Sequence, residues 1–152
     1  MPELPQRKRL YHASPNWVRG GAVYFITICC ALRHKPQLTL APAFEVMKGA
    51  IEHYARSGRW WVELFLAMPD HCHAMASFPE CESMERVMRD WKRYVAKRAG
   101  VKWQDGFFDH RLCSKESADE KWHYILQNPV RQNLVKDPAE WPCIWEPKSV
   151  AR

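Results

Sequence analysis

Residues 60–78 read WWVELFLAMPDHCHAMASF, two apolar, β-rich runs separated only by Pro69-Asp70. Pro-Asp is turn chemistry, so the runs are expected to fold back on each other as antiparallel strands over 60–68 and 71–78. Whatever fold the chain adopts must accommodate that pair. The second run carries His71 and His73 in otherwise apolar company. Residues i and i+2 of a strand share a face, so the two imidazoles converge. Cys72 then points into the opposite layer, where a thiol behaves as a small hydrophobe.

The rest of the chain supplies partners for this hairpin. GAVYFITICC (21–30) is rich in β-branched and aromatic residues, and FFDHRLC (107–113) is a plausible fourth strand. APAFEVMKGAIEHYARSG (41–58) sets Phe44, Met47, Ile51 and Tyr54 at helical spacing, with Gly58 as a stop. SMERVMRDWKRYVAKRAG (83–100) does the same with Met84, Val87, Met88, Trp91 and Val95, and Gly100 ends it. SKESADEKWHYILQN (114–128) opens with capping and acidic residues, as a helix amino terminus should, and is expected to stop at Pro129. The order β-α-β-β-α-β plus a further helix is the ferredoxin-like split β-α-β pattern. The expected fold is therefore a single α+β domain, an antiparallel sheet with helices packed on one face and an extra C-terminal helix. The expected organisation is a basic N-terminal segment (1–16), the domain (17–135) and a C-terminal tail (136–152) anchored at most by Trp141 and Trp145.

At 152 residues, 47% of them hydrophobic, the chain can bury one core without staples. No apolar run approaches the roughly 18–20 residues needed to cross a bilayer. The opening MPELPQRKRLYH lacks an apolar h-region, so no secretory signal and no membrane are expected and a cytoplasmic location is. Six cysteines without a two-residue-spaced pair suit reduced thiols better than disulfides or a zinc framework. The net charge of +6 favours a polyanionic partner. Arg7, Lys8, Arg9, Arg86, Arg89, Arg93 and Lys97 are candidate phosphate contacts, or simply a solvated charged surface.

Two imidazoles make an incomplete metal site that needs a third ligand. Taken alone, so short a motif is better explained as two surface or partly buried histidines with hydrogen-bond partners. Tyr124 and Asn128, four residues apart, share a helical face. Tyr124 is either a core aromatic or a nucleophile, and Asn128 either a helix cap or a ligand. Asn128 precedes a proline, which disfavours helical geometry there, so Gln127 is held as a reserve ligand. A zinc hydrolase using His71, His73 and a cysteine is a weaker option.

Taken together, these segments resemble a known family. MPDHCH (68–73) is similar to the Met-Pro-Asn-His-x-His motif of single-tyrosine, His-hydrophobe-His transposases, and YILQNPVRQNLV (124–135) to their tyrosine helix. VYFITI (23–28), WKRY (91–94) and WQDGFFDHRL (103–112) match intervening segments in the same order, over roughly residues 17 to 142. The nearest branch is the REP-associated tyrosine transposases. The resemblance implies that His71, His73 and Asn128 hold a divalent cation, Mg²⁺ or Mn²⁺. It implies that Tyr124 attacks single-stranded DNA at palindromic repeats folded as hairpins, leaving a 5′-phosphotyrosine and a free 3′-hydroxyl. A monomer or a homodimer, associated with the nucleoid, would be expected. The chain departs from the pattern at Asp70, in place of asparagine, and at Gln132-Asn133, in place of Ala-Gly. His110 either sits near the site or pairs with Asp109. A catalytically silent hairpin-binding protein derived from a transposase is the alternative function.

Overall fold

The computed structural model describes residues 22–148, so Arg7, Lys8, Arg9 and the basic segment 1–16 lie outside the described residues. The elements run β1 (Val23–Cys29), α1 (Ala43–Arg56), β2 (Trp61–Ala67), β3 (His71–Ser77), α2 (Met84–Ala99), β4 (Phe108–Leu112), α3 (Lys115–Arg131) and β5 (Ile144–Trp145). They form one sheet in the order β4-β1-β3-β2-β5, with every neighbouring pair antiparallel. This is the expected α+β, split β-α-β arrangement, with a short fifth strand added at the β2 edge. The Pro69-Asp70 turn closes with Met68 N–H donating to His71 C=O at 2.8 Å, and Ala67 faces Cys72.

Strand alternation divides the core in two. Ile26 and Ile28 of β1, Phe65 and Ala67 of β2, and Cys72, Ala74 and Ala76 of β3 pack against α1 and α2. Phe25, Leu64, Leu66 and Met75 point the other way, to α3, which buries Ala118, Trp122, Ile125 and Leu126 on them. The two helices inside the β-α-β units therefore share one face, and the extra C-terminal helix covers the opposite one. Helix α2 is delimited as its sequence predicts. Ser83 caps it by accepting from Arg86 N–H, and Gly100 ends it at φ 71°, a left-handed geometry that suits glycine. Arg59 ties α1 to α2. Its guanidinium lies 4.8 Å from the Tyr54 ring centroid and pairs with Glu82 and Asp90 at 3.1 and 2.9 Å.

Helix α3 does not stop at Pro129; it runs through it to Arg131. Proline cannot donate to the Ile125 carbonyl, but this close to the helix end it removes one bond from a helix held by its packing. Pro129 is itself buried, and the chain closes beyond it with Gln132 N–H on Asn128 C=O and Leu134 N–H on Pro129 C=O. Asn128 is consequently helical despite preceding a proline. The segment expected as a tail is tied to the sheet and to α1 over its described part. Trp141 Nε1 donates to Ala67 C=O at 2.9 Å, Trp145 Nε1 to Glu52 at 3.2 Å, and β5 pairs with Phe65 and Leu66. That pairing covers part of an otherwise open β2 edge. No helix among the described residues is long and apolar enough to cross a membrane.

Candidate active site

The α3-facing side of the sheet carries a row of side chains across three strands. Phe108 of β4 faces Thr27 of β1, and Thr27 faces His73 of β3; one step along, Cys29 faces His71. Cross-strand neighbours on one face sit about 5 Å apart, so register alone gathers these groups. The His71 and His73 ring centroids are 4.9 Å apart. Cys72 lies in the other layer, and burial pushes its thiol well above the ordinary range.

Each imidazole is held through Nδ1. His71 Nδ1 lies 2.8 Å from Asp70 Oδ1, and His73 Nδ1 lies 2.9 Å from Thr27 Oγ1. Asp70 is itself fixed, its Oδ2 accepting from His34 N–H at 2.7 Å and pairing with Arg33 Nε at 3.3 Å. Burial alone would raise the Asp70 carboxyl, but the His34 amide, His71 and Arg33 hold it below its usual value. A carboxylate can only accept, so the Asp70 contact places a proton on His71 Nδ1 and turns Nε2 toward α3. Asn128 Nδ2 stands 3.2 Å from that Nε2. Burial first, then His71, Arg131 and Lys121, pushes the His73 pKa down to about 3, so the His73 ring stays neutral.

This donor set fits a divalent cation. Both rings are oriented by partners on Nδ1, the arrangement that fixes ligating histidines. A half-turn of the Asn128 carboxamide puts its oxygen where its nitrogen now meets His71. Two nitrogens and an oxygen leave further positions for water or phosphate oxygens. Among the described residues, no three His, Cys, Asp or Glu side chains are arranged so that they could hold a metal ion. A zinc site built from His71, His73 and a cysteine therefore has no third ligand here, although Cys29 faces His71 in register.

Tyr124 stands beside the pair, its ring centroid 6.2 Å from that of His73 and 6.1 Å from Phe25, and it is 45% exposed. Asn128, by contrast, is buried at 5%. Lys121, Tyr124, Asn128 and Arg131 follow one another at i, i+3, i+7 and i+10, a single stripe along α3. Lys121 Nζ lies 4.8 Å from the Phe25 centroid and 5.0 Å from that of Tyr124. The Arg131 guanidinium lies 4.1 Å from the Tyr124 centroid and donates to the Tyr124 carbonyl at 2.8 Å.

The structure thus brings together His71, His73, Tyr124 and Asn128, which sequence reasoning had singled out, and makes Asn128 rather than Gln127 the amide at His71. It does not bring Arg86, Arg89, Arg93 and Lys97 to them. These are exposed on α2, on the far side of the sheet, and Arg89 pairs with Asp90 at 3.4 Å. The nearby cations are Lys121 and Arg131, which sequence reasoning missed although their helical spacing from Tyr124 was a usable signal. Thr27 and Phe25 were also missed, because only strand register reveals them. His110 is exposed on the site face of β4, opposite Phe25.

Comparison with known proteins agrees with the motif resemblance. Over 139 residues the chain is 25% identical to a REP-associated tyrosine transposase of Escherichia coli (strain K12), covering 90% of this chain and 82% of that protein. A solved REP-associated tyrosine transposase bound to a REP hairpin shares the fold at TM-score 0.72 and 23% identity, covering 88% of this chain and 81% of that one. A transposase candidate from Deinococcus radiodurans shares it at TM-score 0.51 and 13% identity, over 82% of this chain and 98% of that one. No protein-family model matches the chain.

Proposed function

We propose that this chain is a REP-hairpin endonuclease and strand transferase, in which Tyr124 attacks a phosphodiester of single-stranded DNA. The observation that carries the reading is the convergence of an exposed tyrosine, two imidazoles fixed through Nδ1, and a buried asparagine amide between β3 and α3. Similarity to a transposase solved on a REP hairpin supplies the substrate class. In the step proposed, the Tyr124 oxygen forms a bond to phosphorus as the P–O3′ bond breaks. The tyrosine proton is lost and the departing 3′ oxygen gains one, so a 5′-phosphotyrosine and a 3′-hydroxyl result. Attack by a 3′-hydroxyl reverses the exchange and joins ends without an external energy source.

His71, His73 and Asn128 would hold Mg²⁺ or Mn²⁺. When bound, the cation neutralises charge that builds on the phosphate oxygens in the transition state. The chain's own contribution is to orient both imidazoles, exclude water at His73 and present the cations Lys121 and Arg131 beside the nucleophile. A fixed positive field costs no reorganisation at the moment of reaction.

The test is a labelled REP-like hairpin with a single-stranded foot, incubated with Mn²⁺ or with EDTA and run on a denaturing gel. A protein–DNA adduct and a shortened strand are expected with the metal and absent with the chelator. Tight hairpin binding with neither product would instead mark a silent binding protein.

Asp70 should tune the cation site from behind His71. Asp70→Ala is expected to weaken Mn²⁺ binding by about 10- to 100-fold in calorimetric titration, the usual cost of losing a group that orients a ligand. Asp70→Asn keeps an acceptor for His71 Nδ1–H and should recover much of that loss. Equal binding by wild type and Asp70→Ala would contradict the assignment.

A further inference from the structure

We infer that Phe108 is a stacking platform for an unpaired base adjoining the phosphodiester presented to Tyr124. This rests on the reading of the site as one for single-stranded DNA.

Phe108 is a large apolar ring left 59% exposed at the mouth of the site. It lies on β4, a sheet edge, two strands across from His73 in the row Phe108, Thr27, His73. Two strand spacings place it about 10 Å from His73, within reach of the neighbouring nucleotide. Its ring meets Phe25 edge-on at 6.4 Å between centroids, and Phe25 stacks on His73 at 5.3 Å and meets Tyr124 at 6.1 Å. The exposed ring is therefore the outer end of an aromatic path that leads to the nucleophile. Its preceding neighbour, Phe107, packs into the opposite core, so the core does not claim Phe108. Lys121 and Arg131, seated on the Phe25 and Tyr124 rings, give this end of the sheet positive charge. An aromatic face beside cations suits a base carried on a phosphate backbone, because every base has a π-face.

The experiment uses the full chain, Phe108→Ala, Phe108→Trp and a hairpin carrying 2-aminopurine at the unpaired nucleotide of its foot. Wild type should quench the probe on binding, Phe108→Ala should not, and Phe108→Trp should restore the quench. Affinity should fall roughly 5- to 150-fold in Phe108→Ala, the range for losing one stacked base. The same hairpin made abasic at that nucleotide should bind wild type and Phe108→Ala alike. An unchanged quench, or an equal affinity loss on the abasic hairpin, would overturn the assignment. So would a smaller sedimenting mass for Phe108→Ala with an unchanged quench, which would mark Phe108 as a contact between copies of the chain. Failure of wild type to bind any REP-like hairpin would instead remove the single-strand reading itself, and this inference with it.

Discussion

Tyr124→Phe is expected to lower hairpin cleavage at least about a thousandfold, because it removes the attacking atom and nothing else. Phenylalanine keeps the ring contacts to Phe25, His73, Lys121 and Arg131. Hairpin affinity, measured by fluorescence anisotropy, should therefore stay within about twofold, as for a surface substitution that disturbs no packing. The two readouts separate chemistry from binding. Cleavage that persists in Tyr124→Phe would assign the nucleophile elsewhere; affinity that collapses with it would make the tyrosine a binding residue.

The largest expected effect on stability lies on the other side of the sheet. Trp91 is fully buried on α2, with ring centroids 5.8 Å from Trp60, 5.9 Å from Phe65 and 6.0 Å from Trp103. Trp91→Ala should cost about 3–5 kcal/mol, the lost transfer energy plus the cavity left behind. The thermal midpoint should fall by on the order of 10 °C in a scanning calorimeter. Well below that midpoint the variant should still cleave DNA, because the residues proposed for catalysis belong to the α3 face. Loss of cleavage in the folded variant would show that the two layers are not separable.

What could be read without coordinates follows from how local each signal is. The hairpin at Pro69-Asp70, the stripe Val87–Met88–Trp91–Val95 and the Ser83 and Gly100 boundaries rest on neighbours in sequence, and all appear in the structure. The convergence of His71 and His73 followed from strand alternation alone. Thr27 and Phe25 did not, because their place beside His73 depends on the β1–β3 register, a pairing across some fifty residues. Pro129 misled the α3 boundary, since local geometry argued for a stop and packing carried the helix onward. The basic residues of α2 could not be placed relative to the histidines, because an amphipathic pattern shows that one face is buried, not which face of the sheet it covers. Asp70 reads from the sequence as a turn residue that departs from the family's asparagine. In the structure it connects His71 to Arg33 and to the His34 backbone.

The central claim is that Tyr124 forms a covalent link to DNA beside a cation held by His71, His73 and Asn128. The most direct measurement is mass spectrometry of the adduct formed on a REP-like hairpin with Mn²⁺, after protease and nuclease digestion. The account predicts one nucleotide-modified peptide, with the phosphate on Tyr124, absent when His71 and His73 are replaced by alanine. A modification on any other residue, or the same Tyr124 adduct formed by the double-alanine variant, would contradict it.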